Sequence, residues 1–294
     1  MKKLILIFIV GLFSLNLLAQ EQPIDTTLGW KFPTVINLAL SQTSFSNWAA
    51  GGENSFAING LALLNVNYKS TMTLWENNLT FAYGLMKQGD QGVRKTDDRL
   101  EFSSIYGYKA FKDWYYSGLV QFKTQVSNGY KYDDVAGTKS KLSAFMSPAY
   151  LNVAIGMNYA PSKVFSLFIG PLSGKSTFVL DKELSNAGAY GVDSSKYVRN
   201  EFGGTVKATL NIDIMKNVNL SSKLELFSNY LKNPQNIDVD WQMLINMKVN
   251  KWLSASLSLQ MIYDDDIKTF DGLIEHGAKV QFKEVFGIGL SYKL

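Results

Sequence analysis

Apolar and polar residues alternate with a period of two along most of the chain. The segment 252–263 shows it best: Leu253, Ala255, Leu257, Leu259, Met261 and Tyr263 form one set, and Ser254, Ser256, Ser258 and Gln260 the other. A helix would spread these residues around its circumference, whereas a strand sorts them onto two faces. Val239, Trp241, Met243, Ile245, Met247 and Val249 alternate in the same way with Asp240, Gln242, Asn246 and Lys248. Val206, Ala208, Leu210, Ile212 and Ile214 alternate with Thr205, Lys207, Thr209, Asn211 and Asp213. The same reading predicts twelve strands, at about 34–43, 55–68, 71–86, 99–111, 114–128, 148–160, 163–180, 198–214, 217–231, 237–249, 252–263 and 279–294. Pro171 makes the seventh the least regular.

The predicted connections alternate too. Lys69-Ser70, Lys112-Asp113, Pro161-Ser162, Met215-Lys216 and Asn250-Lys251 are short, whereas 44–54, 87–98, 129–147, 181–197 and 264–278 are long, with 232–236 the exception. A transmembrane barrel has short periplasmic turns and longer outer loops. Aromatic positions give a third sign. Tyr68, Trp75, Trp114, Tyr159 and Trp252 fall near the short turns, and Tyr83, Phe122, Tyr230, Trp241 and Tyr263 near the long loops. Rings with one polar edge collect at the two membrane–water interfaces. Phe286, Ile288, Leu290, Tyr292 and Leu294 carry the alternation to the last residue, the kind of strand that barrel-assembly machinery is expected to read.

Composition agrees with this pattern. The chain is 46% hydrophobic, yet beyond its first residues it has no apolar run long enough for a helical span. At its start, Lys2 and Lys3 precede the apolar run 4–18, and Leu17-Leu18-Ala19 offers a small-residue cleavage point. That is a secretory signal peptide, expected to be removed. Loss of Lys2 and Lys3 lowers the formal charge from +4 to +2, which gives no reason to expect nucleic acid. The sequence has no cysteine, so disulfides, thiolate metal sites and lipoprotein attachment are excluded.

The predicted organisation is a signal peptide at 1–19, a periplasmic lead at 20–33 and, over 34–294, an all-β transmembrane antiparallel up-and-down barrel in the bacterial outer membrane. Backbone groups left unpaired in hydrocarbon cost several kcal/mol each, so such a sheet must close. A charge on the lipid face near the midplane costs about 2–4 kcal/mol. Lys123, Lys207, Lys223, Glu225, Asp240 and Lys248 all fall on the polar face and are therefore expected to line the lumen. With Lys283, Glu76, Glu101 and Glu201 they balance in sign, which argues against a strongly ion-selective ring.

The segment Gln42-Thr43-Ser44-Phe45-Ser46-Asn47-Trp48-Ala49-Ala50-Gly51-Gly52-Glu53-Asn54-Ser55 is distinctive. It resembles the signature of an uncharacterised Bacteroidota barrel family, a domain of unknown function. Ser147-Pro148-Ala149-Tyr150-Leu151-Asn152, Tyr159, Pro161 and Pro171-Leu172-Ser173-Gly174-Lys175 are similar to that family too. The resemblance implies an outer-membrane barrel in a Gram-negative envelope and supplies no activity. Read as residues, the paired glycines suit a tight turn, and Asn and Ser can bond their own backbone. Asn47, Trp48, Gly51, Gly52, Glu53 and Asn54 are the candidate contact at the extracellular mouth, with Trp48 expected to pack downwards.

Other chemistry is weaker. Gly170-Pro171-Leu172-Ser173-Gly174-Lys175-Ser176 has three residues between its glycines where a phosphate loop needs four, and strand pattern follows it. His276 is the single histidine and falls in or beside a rim loop, whereas a barrel lipase needs its base at membrane depth beside a nucleophile. Asp264-Asp265-Asp266 with Asp271 and Glu275 could attract a divalent ion, but Lys268 sits where a calcium loop needs an oxygen. The reading is therefore a barrel without cofactor: a narrow channel for small polar solutes or a structural or partner-binding barrel. A lipid-modifying, lipase-like enzyme is the alternative. Its expected partners are outer-membrane lipid and lipopolysaccharide, the barrel-assembly machinery during insertion, and an envelope protein.

Overall fold

The computed structural model of the chain describes residues 28–46, 52–134, 136–271 and 274–293. The predicted signal segment 1–19 lies outside them.

Among the described residues twelve long strands pair in chain order: β1 Thr34–Thr43, β2 Ser55–Lys69, β3 Thr73–Gln88, β4 Arg94–Phe111, β5 Trp114–Thr124, β6 Ala149–Tyr159, β7 Phe165–Phe178, β8 Val198–Met215, β9 Val218–Asn229, β10 Ile237–Lys248, β11 Leu253–Tyr263 and β12 Gln281–Lys293. Every neighbouring pair is antiparallel. β12 closes onto β1 through registers such as Gly289↔Ala39 and Leu290↔Leu38, so the sheet is a barrel without a free edge. Gly29–Lys31 adds a short strand to the end of β2, opposite Asn67, Tyr68 and Lys69. Pairing thus begins inside the predicted lead.

The period-two pattern fixes which way each face points. Ile36, Leu38 and Leu40 of β1, Val153 and Ile155 of β6, and Phe286, Ile288 and Leu290 of β12 all lie exposed on the outside. Exposed apolar faces of this extent, repeated round a closed sheet, belong in lipid. The packed core lies inside instead, where Ile105, Leu119, Ala154 and Phe168 meet across β4, β5, β6 and β7.

Pro171 does not break β7. It sits in a bulge where the register slips between Gly170 and Ser173 against β8 and between Ile169 and Leu172 against β6. The extra residue moves the inward set from Ser166 and Phe168 to Ser173, Lys175 and Thr177. A proline tolerates this place because a bulge releases one ladder bond.

Aromatic rings cluster at the short-turn end. Trp30 lies 5.0 Å from Tyr68 and 5.8 Å from Trp75, Trp75 lies 6.2 Å from Tyr106, and Trp114 lies 5.0 Å from Tyr159. At the long-loop end Phe202 and Tyr230 meet edge to face at 6.1 Å. β4 and β8 each have 18 residues, more than the roughly 9–11 that cross a bilayer, so the wall stands proud on the long-loop side. There the segment 129–147 forms a hairpin of Gly129–Asp133 and Thr138–Ser143, and 181–197 holds a one-turn helix, Lys182–Asn186. Val179, Leu184 and Val192 form a small apolar cluster beneath that helix.

Candidate functional site

Five of the six predicted lumen residues meet in one lattice. Lys123 of β5 reaches across the barrel to Asp240 of β10 at 2.6 Å and also pairs with Glu225 of β9. Gln121 donates to the other Glu225 oxygen at 2.5 Å. Lys223 of β9 crosses to Glu101 of β4 at 2.7 Å and lies 3.8 Å from Glu225. Lys207 of β8 lies 3.8 Å from Glu225 and donates to Ser103 of β4 at 2.5 Å. Gln242 donates to Glu101 at 3.0 Å, and Gln260 to Asp240 at 3.1 Å. Three ammonium groups thus face three carboxylates. Glu101, Lys207 and Glu225 are all buried. Buried charges persist where they are paired and their remaining hydrogen-bonding positions filled, and the glutamines fill them here.

Lys248 is the sixth. It lies on the inner face of β10 but at the barrel's end, where it is exposed and outside the lattice. Eight residues separate it from Asp240, and parity does not encode that height. Sequence reasoning missed Gln121, Gln242 and Gln260. The signal for them was present, since each shares a face with a predicted lumen residue or the serine row of β11.

A second ionic group sits above the lattice. Lys175 contacts Asp238 at 2.6 Å, Asp264 at 3.5 Å and Glu201 at 3.9 Å. Arg199 pairs with Glu201 and Asp266, both at 3.0 Å. Asp265 accepts from Asn236 at 2.5 Å and from the Tyr263 hydroxyl at 3.1 Å. The acidic run Asp264-Asp265-Asp266 is therefore tied into the mouth by protein partners rather than held open for a cation. Gly170–Ser176 forms the bulged strand and no phosphate loop.

Of the extracellular candidates, Asn47, Trp48 and Gly51 lie outside the described residues. Gly52 has φ +128°, a region that suits glycine, and the Phe45 ring occupies the space its Cβ would need. Asn54 accepts from the Phe45 amide at 2.6 Å through its side chain and from the Gly89 amide at 2.8 Å through its backbone. The Glu53 carboxylate lies beside Gly89. Glu53 and Asn54 thus fasten the first long loop to the next one, while Gly52 lets the Phe45 ring pack within the first. In the outer loop, Asp181 caps the helix by accepting from Glu183 and Leu184 amides at 3.0 and 3.2 Å, and Lys141 meets it at 2.9 Å. The hydrogen bond from Lys141 is the first reason that the Asp181 carboxyl titrates below the usual carboxylate range.

Fold and lumen together define a twelve-stranded antiparallel barrel with an ion-paired interior. A family model described as "Protein of unknown function (DUF3078)" matches residues 40–130, a stretch that includes the Asn47–Asn54 motif. No curated protein matches the chain. Among solved structures the chain is similar to the translocator domain of autotransporter NalP from Neisseria meningitidis, at 8% identity and a TM-score of 0.39, covering 92% of this chain and 91% of that one. It is similar also to the COG4313 outer membrane channel from Pseudomonas putida F1, at 12% identity and a TM-score of 0.39, covering 92% and 97%. For the NanC porin the values are 9% and 0.38, covering 89% and 100%.

Proposed function

We propose that this chain is an outer-membrane barrel of a Gram-negative envelope, delivered by a cleaved signal peptide, that is closed to solutes at rest and serves as a structural or partner-binding barrel. One observation carries this reading: Lys123, Lys207 and Lys223 cross the lumen to carboxylates and a hydroxyl on strands four or five positions away round the ring. A ring of one sign would line a path for counter-ions, whereas oppositely charged groups in contact occlude it. The exposed apolar wall and the sorting of short turns from long loops support membrane placement, with the long loops outside. The fastened loops around Asn54 and the capped helix at Asp181 offer a shaped outer surface to a partner. The reading is non-enzymatic: His276 belongs to the backbone of the outer hairpin strand Ile274–Ala278, away from the depth at which a lipase would meet its substrate.

The test is conductance. Purified full-length protein in a planar bilayer is expected to be silent at moderate voltage. Stable steps in the unmodified protein would overturn the closed state.

A further inference from the structure

The outer loops hold a cleft separate from the lattice. It lies between the turn joining β3 to β4 and the hairpin of Gly129–Asp133 and Thr138–Ser143, and its volume is about 340 Å³. Small-molecule sites begin at about 300 Å³, so one ring-sized ligand fits.

Both walls are fixed. Arg94 joins them directly, since its guanidinium donates to Asp134 through both terminal nitrogens, one of them at 3.2 Å, and lies 4.3 Å from the centre of the Tyr132 ring. At the base of the hairpin Lys95 donates to the Ser127 carbonyl at 2.8 Å, and Asp98 accepts from the Val126 and Ser127 amides, both at 2.8 Å. On the far side the Tyr190 hydroxyl donates to the Leu142 carbonyl at 2.7 Å, beside the Lys141–Asp181 pair. Gly92 and Gly137 line the cleft, and a Cβ on either would meet nothing within 4 Å, so the space between the walls stays open. Walls held in this way are organised before a ligand arrives, which lowers the cost of binding.

The lining shows what fits. Arg94 and Lys139 balance Asp133 and Asp134 in charge, so a strongly charged ligand would meet repulsion as well as attraction. Lys139 lies 4.4 Å from the centre of the Tyr130 ring and meets no carboxylate among the described residues. Gln91 and Thr138 add an amide and a hydroxyl. A ligand hydroxyl matches this set, because it donates to a carboxylate and accepts from an ammonium or an amide without carrying charge itself. The Tyr132 ring adds an apolar face for C–H groups.

We propose that this cleft binds one neutral, hexose-sized sugar, free or at the end of an extracellular glycan. Tyr132 supports the apolar face of the sugar ring, and Gln91, Thr138 and Lys139 bond its hydroxyls. The inference rests on the outward placement of the long loops proposed above and not on the closed lumen.

The experiment uses the full chain in phosphatidylcholine nanodiscs, free of sugar-headed detergent, with folding verified by shifted migration on unheated gels. Both rims meet solution there, so the result does not depend on which way the barrel faces. Saturation-transfer NMR reads binding of the methyl glycosides of glucose, galactose and mannose. At least one should bind with a Kd of about a millimolar. Gly92→Trp, which fills the cleft from a position with open space around it, should weaken that binding by about tenfold or more, and Lys139→Met several-fold. Lys232→Met, on another outer loop, should leave it unchanged. Glucuronate should gain less than about tenfold over methyl glucoside. A tetrasaccharide of the bound sugar that binds as well as the glycoside assigns the cleft to glycan ends, and one that does not bind assigns it to free sugars. No binding of any glycoside by the folded protein, binding that Gly92→Trp and Lys139→Met leave intact, equal weakening by Lys232→Met, or a larger preference for glucuronate would overturn the sugar site. Conductance steps from the unmodified protein would overturn the closed barrel and leave the sugar site standing.

Discussion

Removing Lys123 is the sharpest perturbation of the lumen. Its ammonium contacts Asp240 at 2.6 Å and also Glu225, and the three side chains are 19%, 18% and 9% exposed. At an effective dielectric near 20, one such contact is worth about 6 kcal/mol of gross attraction. Much of that offsets desolvation of the three groups. Truncation leaves two carboxylates facing each other without their shared cation, and breaking a buried pair in this way costs about 3–5 kcal/mol. Lys207 and Lys223, each 3.8 Å from Glu225, remain to soften the loss. Lys123→Ala should therefore destabilise the barrel by about 3 kcal/mol, the lower end of that range. The assay is urea unfolding in lipid vesicles followed by tryptophan fluorescence. Lys248→Ala is the control, and as an exposed rim substitution it should fall within about 0.5 kcal/mol of the parent. Lys123→Met combined with Asp240→Asn removes one charge of each sign, leaves Glu225 with Lys207 and Lys223, and should recover most of the stability. If Lys123→Ala matched Lys248→Ala, the carboxylates would be bathed in water and the sealed lumen refuted.

Ile155 is 66% exposed on the outer wall of β6, and Ile155→Arg should cost about 2–4 kcal/mol in the same unfolding assay. A cost under about 0.5 kcal/mol would place that wall in water. Asp181→Ala removes the cap of the outer helix, at about 1 kcal/mol of local stability, and should speed proteolysis within 181–197 without unfolding the barrel. Because Asp181 titrates lower when folded than when free, its contribution is complete above the free-carboxylate value of about 3.9 and is lost as pH falls through the lower folded value. Protection of that loop should hold at pH 5 and weaken progressively as pH falls below about 4; loss already at pH 5 would contradict the Lys141–Asp181 contact.

The strands were legible because lipid imposes a strict rule. Ser254 to Gln260 must point one way and Leu253 to Met261 the other, so parity alone reveals both strand and face. Pro171 stayed ambiguous because parity switches across a bulge, and one extra residue leaves no period of its own. The hairpin strands Gly129–Asp133 and Thr138–Ser143 are short and polar on both faces, as sheets standing in water above a membrane can be, so they read as loop. The lumen set was legible as a face and not as a lattice. That Lys123 meets Asp240 while Lys248 meets neither acid depends on strand stagger round the barrel, which no single strand's sequence records. The cleft beside Tyr132 was hidden for a similar reason, since it forms between a turn and a hairpin that both read as loop.

The absence of cysteine in the native sequence makes the most direct measurement simple. Single cysteines placed in turn at positions 151 to 157 of β6, each carrying a small fluorophore, can be examined in vesicles containing brominated lipid. Quenching should be strong at 151, 153, 155 and 157 and weak at 152, 154 and 156. Uniform quenching, or none along the whole series, would contradict a wall with lipid on one side and a sealed, ion-paired lumen on the other.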